Sequence, residues 1–111
     1  MLNQRINEYT RAMYWGDQGR LSRLVSPQIR PIISKRIRAR RRTENIVDTE
    51  VENVQFDKEL QKATVDMKTR FYKISHNVVQ SRFEKQTWLY YRYDGGWKLT
   101  EIEEVKDENI S

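Results

Sequence analysis

The residues of this chain best suited to chemistry are cations. Lys35-Arg36-Ile37-Arg38-Ala39-Arg40-Arg41-Arg42 places six cationic side chains in eight positions, a density that attracts phosphates through release of their counterions. Wound as a helix, the run sets Lys35, Arg38, Arg41 and Arg42 opposite Ile33 and Ile37, as a stripe of guanidinium groups suited to nucleic acid, anionic lipid heads or an acidic protein. The competing reading is a solvated face whose charges pair in part with Glu44, Asp48 and Glu50. No aromatic residue interrupts the run, whereas binders of single-stranded nucleic acid stack bases on such residues. An acidic protein or anionic surface is therefore the expected partner, ahead of nucleic acid.

General acid–base chemistry finds less support. Isomerisation or dehydration needs a buried carboxylate or imidazole whose pKa is raised toward the working pH. The single histidine, His76, lies between Ser75 and Asn77 in a predicted turn, and Asp66 alternates outward beside Lys68. Asp48, Glu50 and Glu52 alternate outward from Val47, Thr49 and Val51 in the same way. No Asp–His pair presents itself. There is no cysteine, and no His, Asp and Glu stand together at metal-ligand spacing. No catalytic residue, cofactor or metal is expected.

The remaining candidates are aromatic. Thr87-Trp88-Leu89-Tyr90-Tyr91-Arg92-Tyr93-Asp94-Gly95-Gly96-Trp97-Lys98-Leu99 crowds aromatic residues on both sides of an Asp-Gly-Gly turn, a hairpin signal because Asp and Gly tolerate the positive φ of tight turns. Trp88 and Tyr90 fall on one side of their strand, with Leu89 and Tyr91 on the other, so the strand is apolar on both faces. Tyr72, Trp88 and Tyr90 are expected on the sheet face turned away from the first helix. They form an interface or a pocket wall there, or a core covered by the third helical segment.

These residues need elements to hold them. Leu2, Ile6, Tyr9 and Met13 recur at spacings of four, three and four, which predicts a helix from about residue 2 to 14. Gly16-Asp17 interrupts it, and Asp17 is placed to cap a short helix whose apolar face is Leu21, Leu24 and Val25. After Ser26-Pro27, a third helical segment carries Ile29, Ile33 and Ile37 and begins at Pro27 or at Pro31. From about Glu44 the period becomes two. Val47, Thr49 and Val51 share a face, then Val54 and Phe56 change parity, which predicts a β-bulge near Glu52 and Asn53. Ala63, Val65, Met67, Thr69 and Phe71 point inward from the next strand, and Lys62, Thr64, Asp66, Lys68 and Arg70 outward. A strand from about Val78 to Tyr93 and a last one through Trp97, Leu99 and Ile102 complete the pattern.

The fold class is therefore α+β, with N-terminal helices packed on a curved antiparallel meander of four or more strands, a cone-like roll. The 111 residues make one domain over 1–105, with 106–111 as a frayed tail. The chain is 37% hydrophobic and 33% charged, yet its 11% of aromatic residues supplies a globular core. Charge is uneven: residues 1–43 carry 11 Lys and Arg against 2 Asp and Glu, and residues 44–111 carry 10 against 14. Either a polyanion-binding face or a basic helical layer on an acidic sheet would give this pattern. No apolar run approaches the ~20 residues of a membrane span or the core of a secretory signal. As written, the chain is read as soluble and cytoplasmic, or as exported or lipoprotein-derived if a signal once preceded Met1.

Gly16 and Asp17 between helices, with Trp88, Asp94, Gly95, Gly96, Trp97 and Leu99 at the end, resemble the nuclear transport factor 2-like (SnoaL-like, cystatin-like) superfamily over about residues 2–105. The resemblance implies a long N-terminal helix in the concave face of a bent sheet and a homodimer formed through the convex face. It also implies membership among the non-catalytic accessory domains, with an isomerase- or dehydratase-like enzyme as the alternative. Four strands are fewer than fuller members carry, which argues against a deep ligand cavity. The expectation is a non-catalytic binding or assembly module that uses its aromatic sheet face for self-association and its basic helical half for an acidic or polyanionic partner.

Overall fold

The computed structural model describes residues 1–93 and 95–105. Asp94 of the expected turn and the expected tail, 106–111, lie outside the described residues. Three helices, α1 (Leu2–Trp15), α2 (Gln18–Leu24) and α3 (Arg30–Thr43), precede four strands, β1 (Glu44–Phe56), β2 (Lys62–Lys73), β3 (Val79–Tyr91) and β4 (Gly96–Val105). The strands pair antiparallel in the order β1-β2-β3-β4, the meander expected from the short turns.

The helix ends follow local chemistry. Gly16 stops α1 in the left-handed region at φ 68°, and the N–H groups of Gly16 and Asp17 donate to the Met13 and Ala12 carbonyls. The Asp17 carboxylate then accepts from the Arg20 N–H at 3.1 Å and caps α2. α2 is fastened to the sheet at its exit, where Val25 bridges Leu99 and the Ser26 N–H donates to the Leu99 carbonyl. Of the two starts open to α3, the later is found: the helix begins at Arg30 with Pro31 in its first turn, where the missing N–H costs nothing. At its other end α3 passes straight into β1, with Thr43 and Glu44 consecutive.

The sheet register agrees with the β2 alternation, since Ala63, Val65, Met67, Thr69 and Phe71 are all buried. β1 slips once between Val51 and Asn53, at the expected bulge, and a second time between Ile46 and Asp48. The second slip is a correction: Val47 is the extra residue and 47% exposed, whereas Ile46 pairs with inward Phe71.

Leu2, Ile6, Tyr9 and Ala12 of α1 meet Val65, Met67, Trp88, Trp97 and Leu99 of the sheet, with Leu21, Leu24, Ile33 and Ile37 closing the core. Trp88 overturns the aromatic-face expectation. It is fully buried, opposite Ala63 and Leu99, and its ring meets Tyr9 of α1 edge-on at 5.9 Å. The small Ala63 side chain leaves room for the indole beneath the helix. Tyr90 shares this helix-facing register at the sheet's end, packed on Trp97 at 5.4 Å and half-exposed. Tyr72, opposite Val79, has the other parity. The three residues share no outward face, and Trp88 is core.

Candidate functional site

The site begins with the parity of β3. Its inward positions are Arg82, Glu84, Gln86 and Trp88, opposite Thr69, Met67, Val65 and Ala63. The inner face thus turns from aromatic to polar toward the start of the strand. α1 covers the aromatic half closely, but Met13 is only half-buried, and Tyr14 and Trp15 are exposed, so its last turn stands at a rim. The last turns of α1 and α3, the start of β1 and the inner faces of β2 and β3 border a half-open cavity of about 650 Å³. Four strands suffice because α3, continuous with β1, supplies a wall.

Apolar walls come from Met13, Ile37, Ile46 and Met67, and polar groups come from Tyr9, Thr69, Arg82, Glu84 and Gln86. An ionic network runs beside them. Arg40 contacts Glu84 at 3.3 Å and Glu104 at 3.7 Å, and Arg82 contacts Glu44 at 2.6 Å and Glu104 at 3.7 Å. The Arg82 guanidinium also lies 4.1 Å from the centre of the Phe71 ring. Because the Arg82 and Glu44 side chains are almost fully buried, their attraction is largely offset by desolvation, and the pair fixes position more than it adds net stability.

Four buried polar atoms have no hydrogen-bond partner among the described residues: Tyr9 Oη, Gln86 Nε2, Glu44 Oε1 and Arg36 Nη1. The Gln86 orientation is determined by its neighbour. The Trp88 indole N–H can only donate, and it donates to Gln86 Oε1 at 3.0 Å, which turns the amide NH₂ the other way. Burial, with Glu84 nearby, pushes the Tyr9 phenol well above its ordinary value, so the hydroxyl stays protonated and can donate. The residues lining the cavity therefore bring two unpartnered groups able to donate, Gln86 NH₂ and Tyr9 OH, and one unpartnered carboxylate oxygen. Glu84 is ion-paired with Arg40 rather than isolated among apolar groups, the setting in which a carboxylate acts as a general base. No group of three or more His, Cys, Asp or Glu able to hold a metal occurs among the described residues.

The basic run divides. Lys35, Arg38, Arg41 and Arg42 are exposed, but Arg36 and Arg40 are half-buried, and Arg41, four residues after Ile37, stands beside the buried face rather than opposite it. Arg40 continues the Ile33–Ile37 face into the ionic network, and Arg41 donates to the Trp15 carbonyl at 3.0 Å. The anticipated pairing of the run with Glu44, Asp48 and Glu50 is not what the structure holds. Glu44 pairs with Arg82, and Asp48 pairs with Arg70 on the sheet surface. His76 is an exposed turn residue, 2.7 Å from Ser75 Oγ. Sequence reasoning missed Arg82, Glu84 and Gln86. The signal was the alternation itself, which, counted back from Trp88, places polar residues at buried positions.

No helix among the described residues is long and apolar enough to cross a membrane. No protein-family model and no curated protein matches the chain. Three solved structures are similar to it. The intermembrane space region of the chloroplast protein ARC6 has a TM-score of 0.69 at 12% identity, over 96% of this chain and 95% of that one. RPA3114, a SEC-C motif containing protein from Rhodopseudomonas palustris, has 0.70 at 20% identity, over 87% and 73%. A ketosteroid isomerase-like protein from Erwinia carotovora atroseptica SCRI1043 has 0.60 at 12% identity, over 95% and 94%. At such identities the likeness is one of fold alone: three helices followed by a four-stranded antiparallel meander, not closed into a barrel.

Proposed function

We propose that the chain is a non-catalytic binding domain that takes a small amphipathic molecule into the cavity between α1, α3 and the sheet. The observation that carries this reading is a cavity lined by both apolar and polar side chains in which residues of the lining, Tyr9 and Gln86 above all, keep buried polar atoms, Oη and Nε2, without a partner among the described residues. Leaving such a group buried and unpaired costs about 1–3 kcal/mol. A ligand with an apolar body and an oxygen acceptor at one end would cover Met13, Ile37 and Met67 and, with a small shift of the Tyr9 and Gln86 side chains, whose donors the packing closes off, accept from these donors. The volume of about 650 Å³ is within the range of ligand pockets. The isomerase-like alternative is disfavoured by the engagement of Glu84 with Arg40.

Two further parts of the reading concern partners. The outward half of α3 offers a cationic face to an acidic protein, because Lys35, Arg38 and Arg42 make no ion pair among the described residues. Self-association through the sheet draws no support from Trp88, which is core.

The test uses an amphipathic anion, 1-anilinonaphthalene-8-sulfonate, as the probe. The folded protein should bind one equivalent with enhanced fluorescence, and Thr49→Trp, which fills the cavity from a half-buried wall position, should abolish binding while the far-ultraviolet spectrum stays native. Undiminished binding by folded Thr49→Trp would place the probe elsewhere and end the cavity reading.

A further inference from the structure

The charge asymmetry of the sequence has a second outlet, remote from the cavity. α1, α2, α3 and β4 each send cations into one open cleft of about 730 Å³: Arg5, Arg20, Arg23, Arg30 and Lys98 line it, with Glu8 as the one carboxylate among the described lining residues. None of these residues lines the cavity. Arg5 and Trp15 stand ten residues apart on α1, about 15 Å at the helical rise of ~1.5 Å per residue, so the two places lie at opposite ends of that helix.

The cations in this cleft are brought together by the tertiary fold rather than by a run in the sequence. Two of them are already oriented. Arg5 donates from Nη2 to the Gly95 carbonyl, and Arg30 donates from Nε to the Val25 carbonyl. Each tether uses one of the guanidinium's five N–H groups and restricts the side chain before any ligand arrives, which lowers the entropy lost on binding. The carboxylates nearby are weakly engaged, Glu8 with Arg5 at 3.8 Å and Asp17 with Arg20 at 4.0 Å. Arg23 makes no ion pair or hydrogen bond among the described residues. Forked guanidinium groups converging from several sides match tetrahedral oxyanions, and a cleft with five cations matches a chain of them.

We propose that this cleft is a binding site for a polyphosphate group, a chain of linked phosphates with three or more negative charges. It stands independently of the cavity reading, because no residue is shared. The outward face of α3 is the natural control, since Lys35 and Arg38 are exposed on a single helix and line neither concavity.

Titration calorimetry on the full chain at about 50 mM salt, where phosphate contacts are strong, should show one equivalent of inorganic tripolyphosphate bound more tightly than orthophosphate. Arg20→Gln/Arg23→Gln should weaken it at least about tenfold, as expected for loss of hydrogen bonds to a charged group. Lys35→Gln/Arg38→Gln, which removes the same charge, should leave affinity within a factor of about three, since exposed and screened charges contribute little. Both pairs are solvent-exposed, and matching melting temperatures confirm that each variant folds. Absence of tripolyphosphate binding, or equal weakening by both variants, would overturn the proposal. Tighter binding of a single-stranded oligothymidylate, reduced alike by both variants, would also overturn it and assign the helical layer to nucleic acid. Retention of the naphthalene sulfonate probe by Arg20→Gln/Arg23→Gln separates this outcome from any failure at the cavity.

Discussion

Tyr9→Phe removes one oxygen from the buried end of the cavity and leaves the rest of the side chain in place. The ring is 3% exposed and packs edge-on against Trp88 at 5.9 Å, contacts that phenylalanine preserves. The hydroxyl has no partner among the described residues, so its removal returns the cost of a buried, unpaired polar group, about 1–3 kcal/mol. Urea unfolding at pH 7 should therefore show the variant as stable as the wild type or more so, while affinity for the naphthalene sulfonate probe falls. A second signature comes from pH. Burial holds the Tyr9 phenol above 10.0, its ordinary value, so the folded chain keeps a proton that the unfolded chain releases. Stability associated with Tyr9 is complete below pH 10 and declines as pH rises above it, by up to about 1.4 kcal/mol per pH unit. The stability difference between variant and wild type should widen in the variant's favour over that window. A loss of more than about 1 kcal/mol in Tyr9→Phe at pH 7, comparable to a net hydrogen bond, would show that the hydroxyl is partnered and would refute the reasoning.

Two other outcomes follow from the same geometry. Trp88→Ala should cost about 3–5 kcal/mol in denaturant unfolding, because a fully buried indole leaves a cavity beneath α1; an unchanged midpoint would return Trp88 to the surface. Arg40→Gln should destabilise the fold by removing the partner of Glu84, a carboxylate 7% exposed, whereas Arg38→Gln should change stability by less than about 0.5 kcal/mol. Equal effects in thermal melts would mean that the two arginines are equivalent surface charges.

Much of the scaffold was legible because it repeats: α1 at helical spacing, β2 at a period of two, and a parity change in β1 that located the Glu52 bulge. The bulge at Val47 was hidden because Ile46 and Val47 are both apolar, so hydropathy fits either register. Arg40 looked solvated because a binary pattern cannot distinguish a charge facing water from one paired with a carboxylate 44 residues away. Trp88 was open to inference. Once Trp97 and Leu99 are read as inward, their cross-strand partners Tyr90 and Trp88 must face the same side. The unpartnered atoms of the site, in contrast, follow from three-dimensional placement, and residue types alone do not reveal them.

The uninterrupted passage from α3 into β1 has a mechanical consequence. A corner with no loop has no residues to spare for rotation, and the Ile74 N–H donates to the Thr43 carbonyl at 2.9 Å, bracing that corner against the end of β2. Helix wall and strand must therefore displace together, as one lever. Compliance is left to the opposite lip, where α1 gives way to Gly16 and the Arg41 side chain reaches across to the Trp15 carbonyl. Widening the cavity then falls to that short segment of backbone and a single exposed hydrogen bond, so amide exchange should be fastest at the end of α1 and slow along the α3–β1 corner.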